Sequence, residues 1–297
     1  MSISVLLNVW RGDRIDLLID SIKSVHMQTL SPEEFLIVSD GPLLDDQKSV
    51  ILELEKSSPF SQTLIETPQT LGLWSARNAG LEKLKSKYVA VHDADDVMHP
   101  DRIRYQTQHL TDNNVDVLGS AMFEINSQSK LVKSARQTLE RDDQIKNALS
   151  NRNPINHPSV VFDRERVLAA GGYRNVHLAE DYELWSRLAG LGYSLENLPY
   201  ALVGFHVDPH TYARRGGYAF IDGERKLRKE LLINGSTTRV RSVFVSSLRV
   251  VYHLMPSKFR SIVHKIVLNQ KLKTGFPISE AEFMSTPPVN VNLSSQA

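Results

Sequence analysis

The feature that most constrains the fold is an alternation of short apolar runs with segments of helical periodicity in the first part of the chain. Each apolar run has the length and composition of a strand buried on both faces. The runs are residues 4–9, 34–39, 63–66 and 88–91. The helical segments between them are residues 15–29, 45–56 and 73–85. Strands and helices in this order, with short connections, predict an α/β fold with a mostly parallel sheet and right-handed crossovers.

Length and composition are those of a soluble globular protein with one large domain or two small ones. The sequence has no cysteine, which excludes disulfides, thiolate zinc sites and cysteine catalysis and fits a reducing cytoplasm. The start of the chain lacks the features of a signal peptide, and no apolar run reaches the roughly 18 residues of a membrane span. The absence of cysteine does not by itself identify the compartment, and the net charge of +1 says little before its distribution is considered. We expect a cytoplasmic protein and no nucleic-acid partner.

Three carboxylates, Asp93, Asp95 and Asp96, directly follow the apolar run at residues 88–91. In parallel sheets, ligands bind beyond the carboxyl ends of the strands. Carboxylates this close together repel one another unless a cation or hydrogen-bond donors compensate their charge. Mg²⁺ prefers one or two carboxylates together with substrate phosphate oxygens. The stretch indicates either a divalent metal site or a polar turn that caps the next helix, and by itself it does not separate the two.

Two further segments are expected at the same edge of the sheet. Asp40 follows the run at residues 34–39, and a glycine turn at Gly72 leads into a helix that carries Arg77 and Asn78. Helix N–H groups and a guanidinium can together bind an anionic or polar ligand. The structural alternative is that Arg77 pairs with one of the acidic residues.

The later part of the chain continues the alternation less regularly. We expect helices at residues 101–109, 142–149 and 163–170, and strands at residues 115–120 and 193–203. Residues 154–162 are expected to be extended. Within them, His157 either contacts a phosphate or sugar or is a structural histidine bonded to backbone.

Glu180 and Asp181 begin a segment in which Leu184 and Leu188 have helical spacing. The helix dipole favours acidic residues at this position, which is a sufficient structural explanation for both. The functional alternative is a general base at the rim of a pocket.

Two basic segments follow. Arg214 and Arg215 precede a double glycine, which indicates either a mobile clamp for an anion or a basic surface loop. Residues 231–279 contain no Asp or Glu and carry apolar side chains at helical spacing. This pattern indicates either binding to an anionic membrane surface or packing against the preceding domain. The basic residues of this segment are Arg239, Arg241, Arg249, Lys258, Arg260, Lys265, Lys271 and Lys273.

Taken in order, several motifs resemble the family 2 glycosyltransferases with the GT-A fold. They are residues 4–7, 38–41, 72–80, 92–96, 171–173 and 180–181. Residues 156–159 and 214–217 more narrowly resemble bacterial enzymes that build capsule, exopolysaccharide or lipopolysaccharide O-antigen. The resemblance implies a GT-A catalytic domain at residues 1–220, to which we add a basic helical extension at residues 221–285. Residues 286–297 are rich in Pro, Asn and Ser and are expected to be disordered.

The resemblance also implies roles for individual residues. Asp40 is expected to bind the base of the nucleotide, typically uracil, and Asp93 to lie near the ribose. Asp95 is expected to bind Mg²⁺ or Mn²⁺, and Asp181 to be the general base of an inverting displacement. The remaining nucleotide-sugar contacts are expected from Arg77, Asn78, Arg214 and Arg215. Weaker candidates for the site are Trp74, Asp96, His157 and Glu180.

The function implied by the resemblance is metal-dependent, inverting transfer of a sugar from a nucleotide sugar, UDP-linked, to a free or lipid-linked saccharide. The protein would work in the cytoplasm, peripherally at the inner face of the cytoplasmic membrane. Ser39 stands where many family members carry a second Asp, and residues 214–217 differ from the Gln-x-x-Arg-Trp motif of processive synthases, which favours addition of one sugar per acceptor. The alternatives are a nucleotidyltransferase of similar fold and an inactive nucleotide-sugar-binding subunit.

Overall fold

The computed structural model describes residues 1–176, 178–208, 218–254 and 276–292. The strands within these residues are β1 (Ile3–Val9), β2 (Glu34–Ser39), β3 (Gln62–Glu66), β4 (Tyr88–Asp93), β5 (Val97–Met98), β6 (Val117–Asn126), β7 (Val132–Arg136), β8 (Val161–Asp163) and β9 (Leu195–Val207). The first helices are α1 (Ile15–His26), α2 (Asp45–Lys56), α3 (Leu73–Lys83), α4 (Arg102–Asn113) and α5 (Asp142–Ala148). The later helices are α6 (Arg164–Ala169), α7 (Glu180–Gly190), α8 (Tyr218–Ile233), α9 (Arg239–Leu254) and, after residues 255–275, α10 (Glu280–Ser285).

The strands form one mixed sheet in the order β3-β2-β1-β4-β8-β6-β9-β5, and β7 pairs with β6 beside this path. Strands β1 to β4 pair in parallel, and β6 and β9 do so as well. Strand β8 runs antiparallel between β4 and β6. The carboxyl ends of β1, β2 and β4 therefore meet at one edge, as the alternating sequence pattern predicts.

The core lies on both faces of this sheet because successive side chains of a strand point to opposite sides. On β1, Leu6 belongs to the cluster that contains Trp185 of α7, whereas Leu7 belongs to the cluster that contains Leu18 of α1. All four side chains are buried. Burial on both faces explains why the first strands read as continuous apolar runs.

Two elements of the central region differ from the sequence prediction. Strand β6 is longer than the predicted run at residues 115–120, because it pairs with β9 along its whole length. The segment at residues 154–162 is not simply extended, since residues His157–Ser159 form a short 3-10 helix before β8. Pro158 suits a helix start and lacks the N–H group that a strand ladder would use.

The predicted domain boundary at residue 220 falls inside α8 (Tyr218–Ile233). Leu227 and Leu231 of this helix belong to the same buried cluster as Trp185 of α7. Helix α8 therefore packs on the preceding part of the chain and shares its core. No helix within the described ranges is both long enough and apolar enough to cross a membrane.

The predicted disordered tail differs from the structure over residues 286–292. The backbone N–H of Ala201 donates to the carbonyl of Val289, and the N–H of Val291 donates to the carbonyl of Pro199, both at 2.9 Å. Val291 is fully buried. The segment thus supplies partners to backbone groups of β9, which an apolar-poor composition does not reveal. Residues 293–297 lie outside the described residues.

Candidate active site

The candidate site lies where β1, β2 and β4 end. Asn8 of β1 stands in register with Asp93 of β4 on one side and with Val38 of β2 on the other. Asp40 comes directly after β2. The sheet therefore brings Asp40 and Asp93 to one edge, with only the end of β1 between them.

The carboxylate of Asp40 closes the turn that begins α3. Its Oδ1 accepts from the backbone N–H of Leu71 at 2.9 Å, and its Oδ2 accepts from that of Gly72 at 3.0 Å. Gly72 has φ +106°, a conformation that side chains other than glycine rarely adopt. Asp40 thus fixes the entry to α3, a structural role that its position after β2 does not indicate. Its predicted contact with a nucleotide base stays a prediction.

Arg77 of α3 is the central cation of the site. Its Nη1 donates to Glu180 Oε1 at 2.6 Å, and its Nη2 lies 3.7 Å from Asp93 Oδ1. The guanidinium also lies over the ring of Tyr173, 5.4 Å from the centroid. Burial lowers the pKa of Arg77, but the charges of Glu180 and Asp93 outweigh it and leave the pKa raised. The structural alternative for Arg77, pairing with acidic residues, is confirmed, and its contact with a nucleotide stays a prediction.

Asn78 joins α3 to the segment that precedes α7. Its Nδ2 donates to the carbonyl of Tyr173 at 2.9 Å, and its Oδ1 accepts from the N–H of Tyr173 at 2.8 Å. Gly172 has φ +64°, and a Cβ atom there would lie 2.4 Å from Asn78 Oδ1. This close approach explains the glycine, and it gives Asn78 a positioning role. A direct contact between Asn78 and a nucleotide sugar stays a prediction.

The acidic turn, residues 93–96, joins β4 to β5 and concentrates negative charge. Burial raises the pKa of Asp93 to about 6 against the opposing charge of Arg77, and the charge of Asp95 adds to the rise. Burial and the charges of Asp95 and Asp93 hold the pKa of Asp96 well above its ordinary value. Asp93 and Asp95 remain partly exposed, whereas Asp96 is fully buried.

A fourth carboxylate, Asp13, also faces this turn and is not among the residues that the sequence singles out. Its Oδ2 accepts from the backbone N–H of Trp10 at 2.9 Å. Burial raises the pKa of Asp13 to about 7, and the charges of Asp95 and Asp93 contribute to the rise. The signal that could have revealed it is its place in the loop directly after β1, at the edge where ligands bind.

Residues from the end of β9 and from α10 hold the acidic turn. The backbone N–H of His206 donates to Asp96 Oδ1 at 3.0 Å, and His206 Nδ1 lies 2.6 Å from the carbonyl oxygen of Asp95. The other ring nitrogen lies 2.5 Å from Glu280 Oε2. Lys130 forms a further ion pair with Glu280 at 3.3 Å. The C-terminal segment therefore helps to set the backbone that presents Asp95.

Asp181 lies at the first turn of α7, partly exposed. Its Oδ2 accepts from Asn153 Nδ2 at 2.7 Å, and its Oδ1 accepts from the N–H of Tyr182 at 2.7 Å. Burial and the charge of neighbouring Glu180 raise the pKa of Asp181 to about 6. A carboxylate with a pKa close to neutrality suits proton transfer at physiological pH. Asn153 is absent from the sequence prediction, because the contact depends on the course of a loop.

The weaker candidates lie around this frame. His157 is buried with Nε2 3.1 Å from the Tyr173 hydroxyl and Nδ1 3.9 Å from Asp93 Oδ1. Burial, with the charge of Arg77, lowers its pKa well below the ordinary value, so the imidazole is neutral. Trp74 is half-buried at the start of α3 and packs against the same core as Trp185. Arg214 and Arg215 lie outside the described residues.

The residues at the acidic turn fit a divalent cation. The donors are carboxylate oxygens, which Mg²⁺ and Mn²⁺ accept, and Asp96 Oδ2 is a buried oxygen without a hydrogen-bond partner in the part of the chain described. Within the described residues no three His, Asp or Glu side chains converge into a complete metal cage. An ion at this turn would therefore need oxygen ligands from a substrate or water as well.

The chain is similar in sequence to one protein family and to individual members of known sequence. A family model described as glycosyl transferase family 2 matches residues 11–167. The chain is 30% identical over 263 residues to the amylovoran biosynthesis glycosyltransferase AmsE of Erwinia amylovora, covering 88% of this chain and 97% of AmsE. It is 28% identical over 272 residues to the UDP-Gal:alpha-D-GlcNAc-diphosphoundecaprenol beta-1,3-galactosyltransferase of Escherichia coli, covering 91% of this chain and 97% of that enzyme.

Solved structures share the fold. TarS of S. aureus, residues 1–349 in complex with UDP-GlcNAc, superposes with a TM-score of 0.59 at 17% identity over 78% of this chain and 67% of TarS. The mannosyltransferase PcManGT of Pyrobaculum calidifontis, in complex with GDP-Man and Mn2+, gives a TM-score of 0.56 at 15% identity over 89% of this chain and 87% of its own. The predicted GT-A fold is confirmed. The family model matches more than half of this chain, and the alignments cover nearly the whole length of two glycosyltransferases. The chain is therefore a glycosyltransferase and belongs to glycosyl transferase family 2.

Proposed function

We propose that this enzyme transfers a sugar from a UDP-sugar to a lipid-linked saccharide in the biosynthesis of a cell-surface polysaccharide, with inversion and with a divalent metal ion. The observation that carries the proposal is the Arg77 bridge between Asp93 and Glu180. It joins the strand end that would receive the nucleotide to the helix whose first turn carries Asp181. The bridge thereby holds the proposed nucleotide site and the proposed general base at a constant separation. Direct displacement between two bound substrates requires such a fixed geometry.

In the proposed reaction Asp181 accepts the proton of the acceptor hydroxyl. The oxygen of that hydroxyl forms a bond to the anomeric carbon, and the bond from this carbon to the diphosphate oxygen breaks on the opposite side. The nucleoside diphosphate takes the electron pair and leaves. The raised pKa of Asp181, about 6, supports this role because the group is ionised at neutral pH and still basic enough to take a proton.

Asp95 would hold the metal ion, and Asp93 would lie near the ribose. When bound, the ion supplies positive charge against the diphosphate of the leaving group. His206 supports Asp95 through the backbone carbonyl oxygen of Asp95 in the acidic turn.

The nucleotide contacts are proposed for other residues. Asp40 would contact the base. Arg77, which Asn78 supports from behind, would contact the rest of the nucleotide. We also propose that Arg214 and Arg215, which lie outside the described residues, contact the diphosphate.

The choice of donor and acceptor rests on the relatives. The galactosyltransferase of Escherichia coli is named for UDP-Gal and for a lipid-linked GlcNAc diphosphate, and TarS is bound to UDP-GlcNAc. A β-linked product made from an α-linked nucleotide sugar requires inversion, which a single displacement gives. PcManGT is bound to GDP-Man, so a GDP-sugar is the competing donor in the test below.

A lipid-linked acceptor requires access to a membrane surface, and α9 supports this part of the proposal. Its apolar side chains at helical spacing form one exposed face, with Val240 82% and Phe244 63% exposed. The exposed Arg239 of the same helix and the acid-free, basic sequence of residues 255–275 add positive charge. We propose that this face contacts the anionic cytoplasmic leaflet. The exposed apolar residues are Val240, Val243, Phe244 and Leu248.

The experiment for the reaction is a panel of UDP-, GDP- and dTDP-sugars with a synthetic GlcNAc-diphosphate-alkyl acceptor and Mn²⁺. Release of nucleotide identifies the donor, and the anomeric proton coupling of the product gives its configuration. We expect transfer from a UDP-hexose, loss of transfer with EDTA, and a β-linked product. Retention of configuration, or equal transfer with EDTA, would contradict the proposal.

The experiment for the membrane contact is flotation with liposomes that contain anionic lipid. Phe244→Asp places a charge on the exposed face of α9 and is expected to reduce flotation strongly. Leu71→Asp, at an exposed leucine of the turn before α3, is the matched control and should float like the wild type. Equal flotation of all three proteins would refute the contact.

A further inference from the structure

We infer that Asn153 is a positioning residue for Asp181 and that the helical extension holds the loop that carries Asn153. The inference rests on the proposed function in taking Asp181 as the general base. It concerns residues 149–153, the first part of the loop between α5 and the short 3-10 helix. Nothing in the sequence of this loop identifies it as part of the site.

The orientation of the Asn153 amide is fixed at both ends. Its Nδ2 donates to Asp181 Oδ2 at 2.7 Å, and its Oδ1 accepts from the backbone N–H of Ile155 at 3.2 Å. The N–H of Ile155 can only donate, so the amide nitrogen must face Asp181. The other carboxylate oxygen accepts from Tyr182. Each oxygen of Asp181 thus has one donor and keeps a lone pair for a substrate hydroxyl.

Three arginines of the extension bind Ser150 and Asn151 of the same loop, and we call these three arginines the arginine brace. Arg228 of α8 donates to the carbonyl of Ser150 at 2.8 Å. Arg249 of α9 donates to the carbonyl of Asn151 at 2.8 Å, and Arg241 donates to Asn151 Oδ1 at 2.9 Å. The carbonyls of an irregular loop need such donors, and charged donors give the stronger bonds.

The brace is itself anchored. Glu224 of α8 is buried and pairs with Arg228 at 2.6 Å and with Arg249 at 2.8 Å. The Arg249 guanidinium also lies over the ring of Tyr182, 5.9 Å from its centroid. Tyr182 follows Asp181 directly, so the extension contacts both the loop and the helix start that together hold the carboxylate. Part of the positive charge that predicts an anionic surface therefore faces inward and stabilises the loop.

Within the described residues, the titratable and charged side chains that face Asp181 are those of Arg77, Tyr173, Glu180 and Tyr182. Glu180 on the same helix is a carboxylate that raises the pKa, and Arg77 of α3 is a cation that lowers it. Asp181 also faces Tyr173 from the segment after α6. The loop at residues 149–153 contributes the Asn153 donor, which favours the ionised carboxylate.

The test is a carbon-13 NMR titration of aspartate carboxyl groups in the full-length protein without metal. The Asp181 signal is the one that Asp181→Asn lacks. In Asn153→Ala we expect the titration midpoint of Asp181 to rise by about one pH unit, the effect of one hydrogen bond to a charged group. Asn147→Ala, the same change at an exposed site on α5, is the control and should leave the midpoint unchanged. An unchanged midpoint in Asn153→Ala would overturn the inference.

Arg249→Lys tests the brace without removing its charge. Lysine cannot reproduce the two-pronged contact with Asn151 and Glu224, so the loop loosens and the Asp181 midpoint should rise by less than in Asn153→Ala. Arg239→Lys, at an exposed site on the same helix, is the control. If Arg249→Lys has a lower thermal stability but an unchanged Asp181 midpoint, the arginine brace is a purely structural contact. That result would contradict this part of the inference.

Turnover distinguishes this inference from the proposed function. If Asp181→Asn transfers sugar like the wild type, the proposed function fails whatever Asn153 does. If Asp181→Asn is inactive and Asn153→Ala shows no shift, only the inference fails. With both correct, Asn153→Ala should lower kcat roughly tenfold and leave the KM for the UDP-sugar unchanged, because the contact affects the base and not the donor.

Discussion

The guanidinium of Arg77 on α3 donates to the carboxylate of Glu180 on α7 at 2.6 Å, across 103 residues of sequence. The same guanidinium lies 3.7 Å from Asp93 at the end of β4. One buried cation therefore connects the two sides of the candidate active site. Its removal would leave two carboxylates close together without the one cation that pairs with both.

Arg77→Met should consequently lower both stability and nucleotide affinity. We expect the free energy of unfolding at pH 7 to fall by about 3–5 kcal/mol, because uncompensated carboxylates remain in a poorly solvated site. Urea denaturation measures the change, and calorimetry with UDP and Mn²⁺ measures the affinity. Arg104→Met, which removes an exposed ion pair with Asp101, is the control and should change little. Equal losses in the two variants would contradict the role of Arg77.

Gly172→Ala tests the contact between the glycine turn and Asn78. The added Cβ would lie 2.4 Å from Asn78 Oδ1, whereas at Gly192, which also has positive φ, no atom lies within 4 Å. Both substitutions strain the backbone, but only the first displaces Asn78. We expect Gly172→Ala to reduce the free energy of unfolding by about 1–3 kcal/mol more than Gly192→Ala. Thermal unfolding measures both variants. An equal loss of unfolding free energy in Gly172→Ala and Gly192→Ala would refute the contact.

Asp13→Asn should stabilise the protein at high pH. Burial raises the pKa of Asp13 from 3.8 to about 7, so the folded chain binds this proton more tightly than the unfolded chain does. The stability contributed by that proton is complete below about pH 4 and is lost as the pH rises to about 7. In EDTA, the variant should exceed the wild type by about 1–3 kcal/mol at pH 8 and match it near pH 4. A variant less stable than the wild type at pH 8 would show that the ionised Asp13 carboxylate does not destabilise the folded protein.

Glu280→Gln tests whether the C-terminal segment supports the acidic turn. The substitution weakens the pairing with Lys130 and with His206, which in turn contacts the carbonyl of Asp95. We expect affinity for UDP in the presence of Mn²⁺ to fall roughly tenfold, as happens when a partner behind a metal ligand is lost. Affinity without metal should not change. Glu53→Gln, at an exposed site on α2, is the control. An identical loss of metal-dependent UDP affinity in this variant would rule out a specific effect of Glu280.

The first half of the fold could be predicted from local patterns. Strands β1 to β4 are buried on both faces and helices α1 to α3 show clear periodicity, so their bounds follow closely from the sequence. The edge rule for parallel sheets then places Asp40 and Asp93 together. Asp13 obeys the same rule but stands alone in its loop, without the repeated acids that draw attention to residues 93–96.

The rest depends on long-range pairing that no local pattern encodes. Asn78 meets Tyr173 only because Gly172 admits a close approach, and Asn153 meets Asp181 only through the course of its loop. Residues 286–292 have a composition typical of disorder, yet the part of β9 that β5 does not cover offers backbone partners that order them. Composition reports the average tendency of a segment and does not report such partners.

The most direct test of the central claim is a comparison of Asp181→Asn with Asp95→Asn. Each variant is assayed for UDP binding by calorimetry with Mn²⁺ and for transfer from the UDP-sugar that the donor panel identifies. The account predicts that Asp181→Asn binds UDP like the wild type and transfers no measurable sugar, whereas Asp95→Asn loses the metal-dependent part of UDP binding. Transfer at the wild-type rate by Asp181→Asn would contradict the account.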